Sequence, residues 1–315
     1  LDRFGSNARL GDGELLVAEA DESDRSFLKL APVVAVVTNI EKEHMDCYRD
    51  MDDILGTYVQ FLNKVPFFGF NMVCLDNEHI QQILPRLERK VITYGYHTQA
   101  MYRYTDPVFE GLTSRFTAHR NGGTLGEIAL SVPGIHNCLN ALATVGTCME
   151  LGLDFEIIRK GLAAYKGVQR RAHIRGEKGG VTVMDDYGHH PTEIKATLRA
   201  LKNGFSGRRL IVVFQPHRFT RTRDLFDDFV TAFYDASKLY ITEIYPASEK
   251  PIEGVSGRGL WESIQAHGHR DAHYIQEKED IPEALMETAQ EGDLVVFLGA
   301  GDVWRQGLRL LEMLG

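Results

Sequence analysis

The chain predicts an α/β protein built as two units, and three observations carry that prediction. Short apolar runs of strand length alternate with amphipathic stretches of helix length along most of the 315 residues. The pattern is interrupted over residues 102–132 by short polar–apolar alternations around Asn121-Gly122-Gly123, the turn chemistry of an antiparallel hairpin. Beyond a short polar connection at residues 166–171 the alternation resumes with five further strand-like runs.

In chain order, residues 15–18 and 33–38 predict strands, residues 52–65 a helix and residues 72–75 a strand. After the small antiparallel excursion, residues 137–151 and 154–165 predict two helices separated at Gly152. The polar connection is the expected boundary, giving a mixed-sheet unit over residues 1–168 and a second unit over residues 169–315. In the latter, strands near residues 181–185, 209–214, 238–242, 272–275 and 293–298 alternate with helices, the pattern of a doubly wound, largely parallel sheet. Such sheets bind ligands beyond the carboxyl ends of their strands, so the residues just after each strand matter most.

Composition narrows the function classes. The hydrophobic fraction of 43% and charged fraction of 25% are those of a globular protein, and the net charge of -9 argues against a nucleic-acid partner. No apolar run approaches the roughly 20 residues that cross a bilayer, so no membrane insertion is expected. Cys47, Cys74, Cys138 and Cys148 form no Cys-x-x-Cys pair and read as reduced packing residues of a cytoplasmic protein. Leu1 is neither a start methionine nor the head of a signal peptide, so a preceding segment is expected.

Chemistry concentrates after the predicted strands. Residues 15–18 lead into Glu19-Ala-Asp21-Glu22-Ser-Asp24, and residues 33–38 into Thr38-Asn39-Ile-Glu41-Lys-Glu43-His44-Met-Asp46. Taken alone, the first run is either a solvated acidic loop or part of a cation site. If the two strands are parallel neighbours, Glu19 and His44 meet, a donor set that suits Mg²⁺ only when phosphate and water complete its shell. Val132-Pro-Gly134-Ile-His136-Asn137-Cys-Leu-Asn140 enters a helix; as a bare pattern Asn137 reads as its cap. Arg170 and Arg171 stand at the expected boundary, where clefts bind small anions. Asp185-Asp186-Tyr187-Gly188-His189-His190-Pro191-Thr-Glu193 follows a strand and starts a helix; its adjacent histidines diverge and lack a third soft ligand, which argues against zinc. His217-Arg218-Phe-Thr220-Arg221-Thr222-Arg223 is a basic cluster suited to small carboxylates. Gly299-Ala-Gly301 imitates a dinucleotide fingerprint, but only 14 residues follow Gly301, too few for the second strand and acidic residue that such a site requires.

These segments together resemble the Mur ligase family across essentially the whole chain. The resemblance implies the remainder of a central ATPase domain followed by a Rossmann-like C-terminal domain, with ATP and Mg²⁺ as cofactors. It places Mg²⁺ on Glu19 and His44, the nucleotide against His136, Asn137, Asn140 and Arg170, and its ribose on Asp186. Tyr187, His189, Arg218 and Arg221 would face the substrates. The Asp-Asp-Tyr-Gly-His-His run is closest to the branch that joins L-alanine to UDP-N-acetylmuramate through an acyl phosphate, a step of peptidoglycan precursor synthesis in the cytoplasm. There Arg218 and Arg221 would grip carboxylates, and His189 would take a proton from the amine.

The family's phosphate loop, G-x-x-x-x-G-K-[ST], has no match in these residues, so the 315 residues alone are expected not to ligate. Three rivals remain: a recycling ligase that adds a tripeptide to the same nucleotide sugar, disfavoured by Tyr187-Gly188, a nicotinamide-dependent oxidoreductase, and a non-catalytic binding module.

Overall fold

A computed structural model describes residues 8–315. Two six-stranded sheets form it. The first has strands β1 (Val34–Val37), β2 (Phe70–Cys74), β3 (Val91–Gly95), β4 (Tyr102–Glu110), β5 (Thr113–Arg120) and β6 (Gly123–Leu130), side by side in that order. β1 to β4 are parallel, and β4, β5 and β6 form an antiparallel meander. The excursion therefore extends the main sheet, with Tyr102 registered against Tyr94. Asn121 and Gly122 both take positive φ, 49° and 81°, as a two-residue hairpin turn matched to strand twist demands.

Four helices cover this sheet: α1 (Met51–Leu62), α2 (Glu78–Ile83), α3 (Ile135–Glu150) and α4 (Phe155–Ala164). Asp50 starts α1 by accepting a hydrogen bond from the Asp53 amide, and Asp154 starts α4 by accepting one from that of Glu156. Cys138, Leu142 and Val145 of α3 join Met72, Tyr94, Tyr102 and Phe116 in one buried core.

The strand predicted at residues 15–18 does not form. Leu15, Leu16 and Val17 are 66%, 92% and 93% exposed, and among the described residues β1 pairs with β2 alone. An extended run is stabilised by ladder bonds and a buried face, and this one has neither.

The second sheet has β7 (His173–Lys178), β8 (Val181–Asp186), β9 (Leu210–Phe214), β10 (Lys238–Ile241), β11 (Ala272–Tyr274) and β12 (Leu294–Leu298), in the spatial order β11-β10-β9-β12-β8-β7. Five strands are parallel and β7 is an antiparallel edge. Each predicted strand of this unit forms. β7 escaped prediction because Arg175, Gly176, Glu177 and Lys178 mask any alternation; Gly179 and Gly180, both at positive φ, turn it into β8. α5 (Pro191–Gly204) follows β8 and α6 (Phe219–Asp224) follows β9. The buried faces of β8, β9 and β12 supply two cores, one on each side of the sheet. Among the described residues no helix is long and apolar enough to cross a membrane, and all four cysteines are free.

Candidate active site

The carboxyl ends of β1 and β2 in the first sheet and of β8 in the second meet at one cavity of about 770 Å³. Thr38 and Asn39 follow β1, Asp76 and Asn77 follow β2, and Asp186 closes β8; all five line it. The first turns of α3 and α5 also open on this space, offering backbone N–H groups that favour anions.

His136, Asn137 and Asn140 line the cavity together, beside Val132, Tyr165 and Ala200. Asn137 is not the helix cap. Gly134, at φ 96°, holds that position, and Asn137 folds back so that its amide donates to the Pro133 carbonyl at 2.7 Å. Burial pushes the His136 imidazole down to about 4, with Arg171 adding to the effect, so the ring is neutral at pH 7. Asp186 also lines the cavity; its carboxylate accepts the backbone amides of Ala172 and Gly188, each at 2.7 Å. Burial nevertheless pushes this carboxyl up from its ordinary range.

The two boundary arginines part company. Arg170 does not line the cavity: its Nη2 donates to the carbonyls of Gly299 and Gly301, each at 2.9 Å, and its guanidinium stacks over Tyr187 at 4.7 Å. Arg171 lines the cavity instead and pairs with Glu193 at 3.1 Å. The glycine turn that imitated a dinucleotide site is thus occupied by the protein's own arginine. A Cβ at Gly299 would lie 2.8 Å from the Gln215 carbonyl, and one at Gly301 would lie 2.7 Å from Gln215 Oε1. Close approach of the Gln215 backbone accounts for Gly299, and close packing of the Gln215 and Tyr245 side chains for Gly301.

At the acidic end His44 faces Glu22, not Glu19. His44 Nε2 lies 3.2 Å from Glu22 Oε1 and 3.9 Å from Glu43 Oε2, and the Glu22 contact pulls the imidazole up. Glu19 is exposed and lies outside the cavity lining, because the strand meant to aim it is not formed. Among the described residues no three His, Cys, Asp or Glu side chains are grouped as a metal cage. This corner fits only a cation that takes few protein donors, as Mg²⁺ does when water and phosphate fill its shell.

Across the cleft, Arg221 donates from Nε and Nη2 to Glu43 Oε1, at 3.1 and 2.8 Å, and from Nη1 to the His217 carbonyl. His189 Nε2 lies 3.9 Å from the same Glu43 oxygen, while its Nδ1 lies 2.9 Å from the Tyr187 carbonyl. A carbonyl can only accept, so Nδ1 carries the proton and Nε2 keeps a lone pair toward the cleft. Burial holds this imidazole below its ordinary value, which keeps it neutral and able to accept a proton. Arg218 is exposed at the start of α6, at φ 70°, and its amide donates to the Tyr245 carbonyl. Tyr187 is 36% exposed and stacks edge-on against His189. His190 also lines the cavity; its Nδ1 caps α5 by accepting the Thr192 amide, and Glu193 closes a capping box.

Sequence reading did not single out Glu22, Glu43 and His217 as neighbours of these groups, and of the two boundary arginines it set Arg170 ahead of Arg171. Glu43 and His217 each sit within a run already singled out, next to His44 and Arg218, so the strand-end rule reached the segments without choosing among their residues.

An α/β protein with nucleotide-sized space between two sheets, an acid–imidazole corner in its lining and an arginine–carboxylate pair beside it has the layout of an ATP-using ligase. Comparisons agree with that class. The profile of the Mur ligase middle domain matches residues 5–148, and that of the Mur ligase glutamate ligase domain matches residues 170–301. A UDP-N-acetylmuramate–L-alanine ligase of Geotalea uraniireducens is 52% identical over 314 residues, covering 100% of this chain and 68% of that protein. Its counterpart in Geobacter sulfurreducens is 52% identical over 315 residues with the same coverage. The solved UDP-N-acetylmuramate–alanine ligase of Thermotoga maritima superposes with a TM-score of 0.75 at 24% identity, over 93% of this chain and 62% of that one. The chain belongs to the Mur ligase family. It spans about two thirds of the length of these relatives.

Proposed function

We propose that the chain serves ATP-dependent ligation of L-alanine to UDP-N-acetylmuramate. The observation that carries the reading is identity of 52% across the full 314–315 residues with ligases of that name. Support comes from the neutral polar pocket at His136, Asn137 and Asn140 in the cavity lining, and from Arg221 just beside it, which already grips one carboxylate, that of Glu43.

In the proposed reaction the lactyl carboxylate of UDP-N-acetylmuramate attacks the γ-phosphorus of ATP, and ADP leaves. The alanine amine then attacks the acyl phosphate carbon, and inorganic phosphate leaves with the C–O bond electrons. His189 Nε2 takes the amine proton, while Arg218 and Arg221 hold carboxylates in line. The nucleotide lies along His136, Asn137 and Asn140 with its ribose toward Asp186, and Arg171 is better placed than Arg170 to reach it. Mg²⁺ would be held by His44 with Glu19 or Glu22, where it would spread charge on the transferring phosphoryl group. Glu22 is already in contact with His44; Glu19 requires residues 15–18 to swing inward.

The test is phosphate release by the chain joined to an amino-terminal segment that carries a phosphate loop, with UDP-N-acetylmuramate, ATP and either alanine, glycine, serine or a tripeptide. Release that depends on alanine is the expected result; release driven best by the tripeptide, or none with any of the four, overturns the reading.

A further inference from the structure

The proposed chemistry leaves one side chain of the cleft without a task. Glu43 belongs to the first unit, yet its carboxylate accepts two hydrogen bonds from Arg221 of the second, on the Nε–Nη2 edge of the guanidinium. That edge is the one a guanidinium offers to a carboxylate ligand in bidentate fashion. The Arg221 side chain is only 12% exposed, and Nη1 is turned toward His217, so no second edge of comparable geometry stays open to the cleft. His189, the other substrate-facing group, has its Nε2 3.9 Å from the same Glu43 oxygen, beyond hydrogen-bond distance, so Arg221 alone holds that oxygen from the second unit. The second Glu43 oxygen lies toward His44.

We propose that Glu43 is an intramolecular stand-in for the substrate carboxylate: it fills the Arg221 edge when the cleft is empty, pins the two units together there, and must yield that edge when the amino-acid carboxylate arrives. This inference rests on the assignment of Arg221 to the carboxylate. Its chemical content is a competition between two carboxylates for one guanidinium, one tethered and one free. A tethered competitor multiplies apparent affinity by the fraction of time it leaves the site free. Glu43 therefore sets the KM for the amino acid as a positioning residue, acting through Arg221, and takes no part in bond making.

Two measurements test it. In the ligase assay, Glu43→Gln removes the competing charge while keeping size, and the KM for alanine is expected to fall about threefold to tenfold with kcat changed less than about twofold. An unchanged or raised KM overturns the proposal. Without any substrate, amide hydrogen exchange of the 315-residue chain reads the latch directly: Glu43→Gln is expected to speed exchange in both residues 41–48 and 217–223, and unaltered exchange in either segment overturns it. Should Glu43→Gln fail to fold, Glu43→Asp, which draws the carboxylate back by one methylene, is read by the same KM and the same exchange. If alanine proves not to be the substrate, the exchange result still decides the latch, so failure of the functional reading and failure of this one are told apart.

Discussion

On the second unit's side of the cleft, Asp186, Tyr187 and His189 lie at and just beyond the end of β8, which has a neighbour on each flank, and Arg221 stands in α6 after β9, which is likewise flanked on both sides. On the first unit's side, His44 comes after β1, which among the described residues pairs with β2 alone, and Glu19 comes after a run that among them has no ladder. The same chemistry, charged side chains at strand ends, is thus set rigidly on one wall and loosely on the other. A central strand fixes the residues at its carboxyl end through hydrogen bonds on both edges, whereas an edge strand leaves half of that constraint to whatever docks beside it. The clamp is built into the sheet; the acidic corner is completed by its surroundings.

Experiments that break the clamp wall should therefore have the larger effects. Arg221→Ala removes the bidentate partner and leaves Glu43 unpaired in the cleft, and alanine-dependent kcat/KM is expected to drop by roughly 10²- to 10³-fold, about 3–4 kcal/mol, in steady-state assays. Gly299→Ala forces a Cβ to within 2.8 Å of the Gln215 carbonyl at φ 146°, and is expected to cost about 2–4 kcal/mol in denaturant unfolding. On the looser wall the question is which acid serves His44. Glu19→Gln and Glu22→Gln are compared by the Mg²⁺ concentration that half-saturates activity; the true partner's loss should raise it about tenfold, and the other's should leave it within about twofold.

The smallest effect concerns His136. Its folded-state value near 4 lies below the ordinary 6.5, so between those values the unfolded chain binds the extra proton and stability falls as pH falls. Thermal melts between pH 7 and pH 5 should show this loss, and His136→Gln should reduce it by on the order of 1 kcal/mol at pH 5.

Legibility in the sequence divided along the same line. Every strand predicted beyond residue 172 forms, since buried parallel strands are continuous apolar runs bounded by turns, and Leu210 to Phe214 or Leu294 to Leu298 need no context to be read. Residues 15–18 have the same local look and stay exposed, because local pattern does not state whether a partner strand is present. Within the site, the strand-end rule found the segments that hold His44, Asp186 and Arg221. It could not foresee that Arg170 would turn to the glycine carbonyls while Arg171 entered the cavity, as adjacent residues differ only in direction. Nor could it foresee Glu43 across from Arg221, a contact between residues 178 positions apart.

The attachment of Arg170 to Gly299 and Gly301 has a mechanical consequence. With its own carbonyl accepting the Tyr187 amide at 2.7 Å, Arg170 travels as part of the second sheet. Lys166, four residues earlier, donates to Ser131 Oγ beside β6 and travels with the first. Only Gly167, Val168 and Gln169 lie between these anchors, and Gly167 sits at φ 86°. The covalent link between the two sheets is thus three residues long, and the units meet again where the Gly111 amide donates to the Gly204 carbonyl at 2.7 Å. The connection is itself part of the cavity, since Gly167 and Val168 line it beside His136.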